Sequence, residues 1–173
     1  MADEIAHATV RVIEEKWEED PVFYEKFSAL IRQTIDEFRQ HRLSEKDYLR
    51  RVRELRDKVH AREDEDDPTP PSIRGNGHAV AFWGITRREL RAAGLDDGTD
   101  LAAEIAIRLT SIIGKHAMVG WQNDRDNQNR IRNEADDFFF DEVRGRRGLI
   151  LAPEVMDAIL DDVLASARVR MAK

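Results

Sequence analysis

Cysteine is absent from the 173-residue chain, so disulfides, thiolate nucleophiles and cysteine-ligated zinc are excluded. No apolar run reaches the ~20 residues that a membrane span needs. The opening MADEIAHA is acidic and lacks the charged and apolar regions of a signal peptide. These absences point to a cytoplasmic protein. Positive charge is also short, with 28 Lys and Arg against 35 Asp and Glu and a formal net charge of −7. That balance argues against a protein whose whole surface binds nucleic acid, and it leaves room for a local basic patch. Neither a convincing strand nor an internal repeat can be read.

What the chain has in abundance is charge set on helical periodicity. Charged residues make up 36% of it, above the roughly 25% of an average domain. Many helices with solvated outer faces account for such an excess. The most informative stretch runs from Asp20 to Asp66 and holds two helical patterns joined by a tight polar corner. Asp20 can cap the first, with Pro21 at its first helical position, where a missing N–H costs nothing. Phe27, Ile31, Ile35 (or Thr34) and Phe38 form its apolar stripe. His41-Arg42-Leu43 is the corner. Ser44 starts the next helix, with Asp47 in the capping-box position, and Leu49, Val52, Leu55 and Val59 form its stripe. Helices joined so closely must fold back on each other.

Around this hairpin the remaining elements fall into place. Asp3 to Glu19 reads as a first helix burying Ile5, Val12, Ile13 and Trp17. EDEDDPTPPSIRGNG, residues 63–77, can continue neither helix nor strand and is the best candidate for a mobile connection. A fourth helix spans about His78 to Ala93, with Asn76 as cap and Gly94 as stop; Ala79, Phe82, Trp83 and Leu90 face inward. LDDGTD is a loop, and Asp100 can cap a fifth helix carrying Leu101, Ile105, Leu109, Ile112 and Ile113. Residues 121–143 become strongly periodic through Ile131, Ala135, Phe138, Phe139 and Val143, and RGRRG ends them. Pro153 starts a last helix with Val155, Met156, Ile159, Val163 and Leu164 inward. The expected fold is all-α, about seven helices packed as an irregular bundle. Its expected parts are 1–62 (first helix and hairpin), 63–77 (linker) and 78–173 (C-terminal bundle), forming one cooperative domain.

No catalytic constellation emerges. Glu14-Glu15-Lys16 echoes a nuclease motif but lacks an upstream strand-borne Asp. Gly114-Lys115 lacks both the earlier glycine and the following hydroxyl of a phosphate-binding loop. Glu4 and His7 have di-iron spacing without a second copy, and His41, His60, His78 and His116 are isolated. No metal site and no cofactor is expected. Arg50, Arg51, Arg53, Arg56 and Lys58 alternate with Glu54 and Asp57, the pattern of a solvated face. Arg144, Arg146 and Arg147 follow a helix end, where they suit either the helix dipole or a phosphate. Arg87, Arg88 and Arg91 admit the same two readings. Trp121 can staple the following helix, capped by Asn123 or Asp124. Alternatively, Trp121 and Asn123, with Arg125 and Arg130 nearby, can line a pocket for a partner or a base-like ligand.

Taken in order, three segments resemble a known family: DPVFYEKFS through SEKDYLRRVRELRDKV to RED, then IRGN and AFWG, then VGWQNDRDNQNRIRNEADDFFFDEV. Together they look like the C-terminal helical region of type I restriction enzyme endonuclease (R) subunits, closest to the HindI-like group. The resemblance covers nearly the whole chain. It implies a non-catalytic module for DNA restriction and phage defence, docking an ATP-dependent motor and nuclease subunit onto the methyltransferase (modification) core. In that family ATP and Mg²⁺ belong to motor and nuclease domains, which this sequence does not contain, so the chain alone is not expected to be an enzyme. The expected partner surfaces are the hairpin, with Phe23, Tyr24 and Tyr48, and the region from Trp121 to Arg147. The alternatives are a DNA-contacting module using Arg144, Arg146, Arg147, Arg125 and Arg130, or an independent small ligand-binding helical protein.

Overall fold

The computed structural model describes residues 1–95 and 99–172. Every regular element among them is helical. The seven principal helices are α1 (Ala2–Lys16), α2 (Pro21–Arg39), α3 (Glu45–Ala61), α4 (Gly77–Ala92), α5 (Thr99–His116), α6 (Arg125–Phe138) and α7 (Pro153–Arg170). They form two compact units, Met1–Thr69 and Pro70–Lys173.

The first unit is a three-helix bundle. The Asp20 carboxylate accepts from the Phe23 N–H at 3.4 Å and caps α2, with Pro21 at the first helical position. Ser44 accepts from the Asp47 N–H at 3.1 Å and caps α3. Between them His41 turns the chain with φ of 57°. The hairpin folds back as its brevity requires: Glu37 meets Arg51 at 2.7 Å near the corner, and Lys26 meets Asp64 at 2.6 Å at the open end. Helix α1 lies parallel to α3, with Asp3 at the Tyr48 hydroxyl and the α1–α2 corner at Arg62. Ala6, Thr9 and Ile13 supply its buried stripe. Trp17 does not join them: α1 ends at Lys16, and the indole is 38% exposed.

A buried ion pair closes the open end of this bundle. Asp20 is 3% exposed. Its second oxygen accepts from Nε and Nη2 of Arg62 at 2.9 and 2.6 Å. The same guanidinium lies 4.4 Å from the centre of the Phe23 ring. One carboxylate therefore caps α2, joins the α1–α2 corner to the end of α3, and holds a cation over an aromatic face.

The second unit is a four-helix bundle of up-down-up-down connectivity, in keeping with the all-α bundle expected. The cross-helix pairs set its directions. Arg108 to Glu142 and Lys115 to Glu134 run α5 antiparallel to the α6 segment. Arg132 to Asp161 and Arg168 to Gln128 do the same for α6 and α7. Arg88 to Asp162 and Arg170 to His78 close α7 on α4. Helix α4 is buried along almost its whole length, from Ala79 to Thr86 and again at Leu90. It is capped by Asn76, which accepts from Ala79 N–H at 3.2 Å, and is followed by Gly94 at φ of 72°. All five predicted inward residues of α5 are buried. The loop expected over LDDGTD falls mainly on residues 96–98, outside the described residues. Asp100 sits in the first turn of α5, one residue past its start.

Residues 63–77, expected as a mobile connection, are divided between the two units. Asp64 and Glu65 pair with Lys26 and Lys58 of the first. Pro71–Ile73 forms a 3₁₀ turn that buries Ile73 against α4 and α5 of the second.

Replacing Asp20 tests the closure of the first unit. Asp20→Ala removes a cap and leaves the Arg62 cation without its counter-charge, an expected loss of about 2–3 kcal/mol. Asp20→Asn keeps a capping oxygen and should lose roughly half as much. Urea unfolding of the full chain followed by circular dichroism gives both values.

Candidate binding groove

The site is built where α6 changes pitch. Asp124 starts that helix, accepting from Asp126 N–H at 2.9 Å and Asn127 N–H at 3.3 Å and holding the Asn127 amide at 2.7 Å. Ile131, Ala135, Phe139 and Val143 then recur every four residues, and all are buried. At 3.6 residues per turn such a stripe drifts around an α-helix by about 40° per step. The chain meets this by widening into a π-helical turn over Phe139–Arg144, so the four-residue stripe stays on the core. A short helical turn, Gly145–Arg147, completes the segment before Gly148 breaks it at φ of 65°.

Helix α5 holds this widened turn from one side. Arg108 donates to Glu142 at 3.1 Å and lies 5.5 Å from the centre of the Phe138 ring. Arg147 forms a two-pronged pair with Glu104. On the other side, against the start of α7, a groove of about 520 Å³ opens. Its apolar walls include Phe140, Ile150 and Met156, and its polar edge carries Asp136, Asp137 and Asp157. Phe140 is 62% and Ile150 69% exposed. The Arg144 guanidinium sits 5.1 Å over the Phe140 ring. Partial burial in the groove, and then the facing Asp157, push the Asp136 carboxyl above its ordinary range; Arg132 opposes the shift.

The predicted basic surface is not assembled. Arg125 and Arg130 lie on the exposed face at the start of α6, and Arg144, Arg146 and Arg147 lie past its end. About 16 residues of helix, some 24 Å at 1.5 Å per residue, separate Arg130 from Arg146. Exposed Asp136, Asp137 and Asp141 occupy the interval. Of the loop arginines, Arg147 is paired with Glu104 and Arg144 covers Phe140, while Arg146 projects from the surface. The basic residues of α3 are held in local pairs, Arg50 with Asp47 and Glu54, Arg56 with Asp57, and Lys58 with Glu65.

The aromatic candidates are displaced inward. Trp121 is fully buried, and its indole N–H donates to the Met171 carbonyl at 3.0 Å. It anchors the end of α7, and Asn123 stands exposed beside it. Phe23, Tyr24 and Tyr48 are 4%, 5% and 1% exposed, so all three belong to the core of the first unit rather than to a partner surface. Phe23 and Tyr24 pack edge to face at 5.1 Å, and Tyr48 stacks on Phe38 at 4.2 Å. Burial and a hydrogen bond to Asp3 push the Tyr48 phenol up to about 12. Sequence reasoning did not single out the groove. Its one available signal was the Phe138-Phe139-Phe140 run, which cannot turn wholly inward on a single stripe.

Among the described residues no group of three or more potential ligands is placed to hold a metal ion. No helix there is long and apolar enough to cross a membrane. Comparison with known proteins finds no matching family model, no matching curated protein and no matching solved structure.

Asp136 gives the groove a pH signature. Its folded value is raised, so its ionisation weighs on the fold only as pH rises through that value, and the penalty is absent in acid. Asp136→Asn should therefore raise the urea midpoint at neutral pH and leave it unchanged well below the ordinary aspartate range. Tyr48 has the same sign at the alkaline end: its contribution is full below pH 10 and is lost through about 12. Ultraviolet titration of the folded chain should show one phenol ionising two units later than in urea, and Tyr48→Phe should remove it.

Proposed function

We propose that the chain is a non-catalytic assembly module of a type I restriction–modification endonuclease subunit. Its task is to dock the ATP-dependent motor and nuclease subunit onto the methyltransferase core in the cytoplasm. The resemblance over nearly the whole sequence supports the class. The observation that carries the docking role is the groove at the widened end of α6, where Phe140 and Ile150 stand in solvent at 62% and 69% exposure. Monomeric surfaces rarely keep large apolar residues side by side around a cavity unless something covers them. Catalysis and ATP use belong, on this reading, to the parent subunit's other domains.

DNA contact is the second reading. It draws on the outward placement of Arg125, Arg130 and Arg146. Their dispersal along an acid-studded helix and the net charge of −7 weigh against it.

Co-purification of the full chain with a cognate methyltransferase core tests the proposal. The core should be retained, and Phe140→Asp should reduce retention at least tenfold while the circular dichroism spectrum is unchanged. No retention of the core by the unaltered chain would overturn it. Duplex DNA retained at low salt and lost on Arg125, Arg130 and Arg146→Ala would favour the second reading.

A further inference from the structure

Resting on the docking role just proposed, we infer that the groove's occupant is a basic, amphipathic helix of a partner protein. It would seat a Leu- or Phe-sized side chain against Phe140 and Ile150, with a Lys or Arg one turn away against Asp136 and Asp157.

Three features of the groove define this chemistry. The first is charge. Three carboxylates, Asp136, Asp137 and Asp157, line it against one guanidinium, Arg144. That guanidinium is spread over the Phe140 ring, and Arg132, whose charge reaches Asp136, is paired with Asp161. The carboxylates thus face the groove without a hydrogen bond or ion pair among the described residues. An entering cation would relieve the repulsion between Asp136 and Asp157, whereas an anion would meet it. The second is size. About 520 Å³ is a pocket for one or two large side chains, too small for a folded surface to enter. The third is spacing. The widened end of α6 carries Asp136, Asp137 and Phe140, and residues 150–157 add Ile150, Met156 and Asp157, so apolar wall and acidic edge occur together on both segments and a matching ligand presents both groups on one face. A helix does this with residues three or four apart. Nucleic acid fits none of these features.

Isotope-labelled full chain titrated with designed peptides tests the inference by NMR. The probes are a helical Leu/Lys peptide, its Leu/Glu counterpart and a Lys/Ser peptide. The Leu/Lys peptide should shift resonances within residues 136–157 saturably, and the other two should bind at least tenfold more weakly. Asp136→Asn with Asp157→Asn should weaken Leu/Lys binding at least tenfold, as should Phe140→Ser. Both variants should keep the native helical spectrum, since the first removes like charges and the second an exposed ring. Equal binding of the Lys/Ser peptide, equal binding of the Leu/Glu peptide, or shifts scattered over all acidic helices would each overturn the assignment. The outcome separates from that of the docking role. Peptide binding with no capture of the methyltransferase core sinks the assembly reading and leaves the groove's chemistry standing. Core capture that survives the Asp136/Asp157 variant sinks the groove assignment alone.

Discussion

The second unit depends on keeping an apolar stripe of four-residue spacing against α5. Ile131, Ala135, Phe139 and Val143 are all at or below 3% exposure. Burying side chains of this size contributes on the order of 1.5–3 kcal/mol for each of the larger ones. Continued past Phe139, a regular α-helix would rotate Val143 out of the core. Widening one turn sacrifices some hydrogen-bond geometry and keeps the whole stripe inside. Phe140 is then pushed to the surface, and Arg144 is carried to a position above its ring. The groove follows from the way the core is filled. Arg108 and Arg147 fasten the widened turn and the short turn that follows it to α5.

The first unit solves a different problem with similar means. Its helices are heavily charged, and its core is aromatic at both ends, with Phe23, Tyr24 and Phe27 clustered at one and Phe38 on Tyr48 at the other. Several polar groups in this core are matched: Tyr48 to Asp3, Asp20 to Arg62, and the Thr9 and Thr34 hydroxyls to the Ile5 and Leu30 carbonyls. A buried ion pair adds little net stability over an apolar filling, but it specifies which ends meet.

Features that depend on neighbours in the sequence were legible. Asp20, Ser44, Asn76 and Asp124 cap the helices they precede, Pro21 and Pro153 open theirs, and the inward face of α5 and, from Ile159 on, that of α7 follow their periodicity, while Val155 and Met156, expected inward, are half-buried. Features decided by distant contacts were not. An arginine such as Arg147 reads the same in a row of letters whether it meets a phosphate or Glu104, 43 residues away. The aromatic side chains Phe23, Tyr24, Tyr48 and Trp121 have the composition of a recognition surface, and packing claims all four. The burial of Ile73 was hidden for a related reason, since residues 63–77 look uniformly loop-like although Ile73 is core. The widened turn was the hardest to foresee. The inward residues were each identifiable, but their common spacing of four had to be weighed against the natural pitch of the helix.

Arg62 occupies the position just past α3 where glycine is the usual choice, because the backbone there is left-handed, with φ of 54°. A side-chain-bearing residue is strained in that conformation by about 1 kcal/mol. A glycine would relax the backbone and abandon the cation. The two hydrogen bonds from the guanidinium to Asp20 act against that strain at the corner. They also mark this C-cap as a place where a substitution chosen only to ease the chain would loosen the bundle.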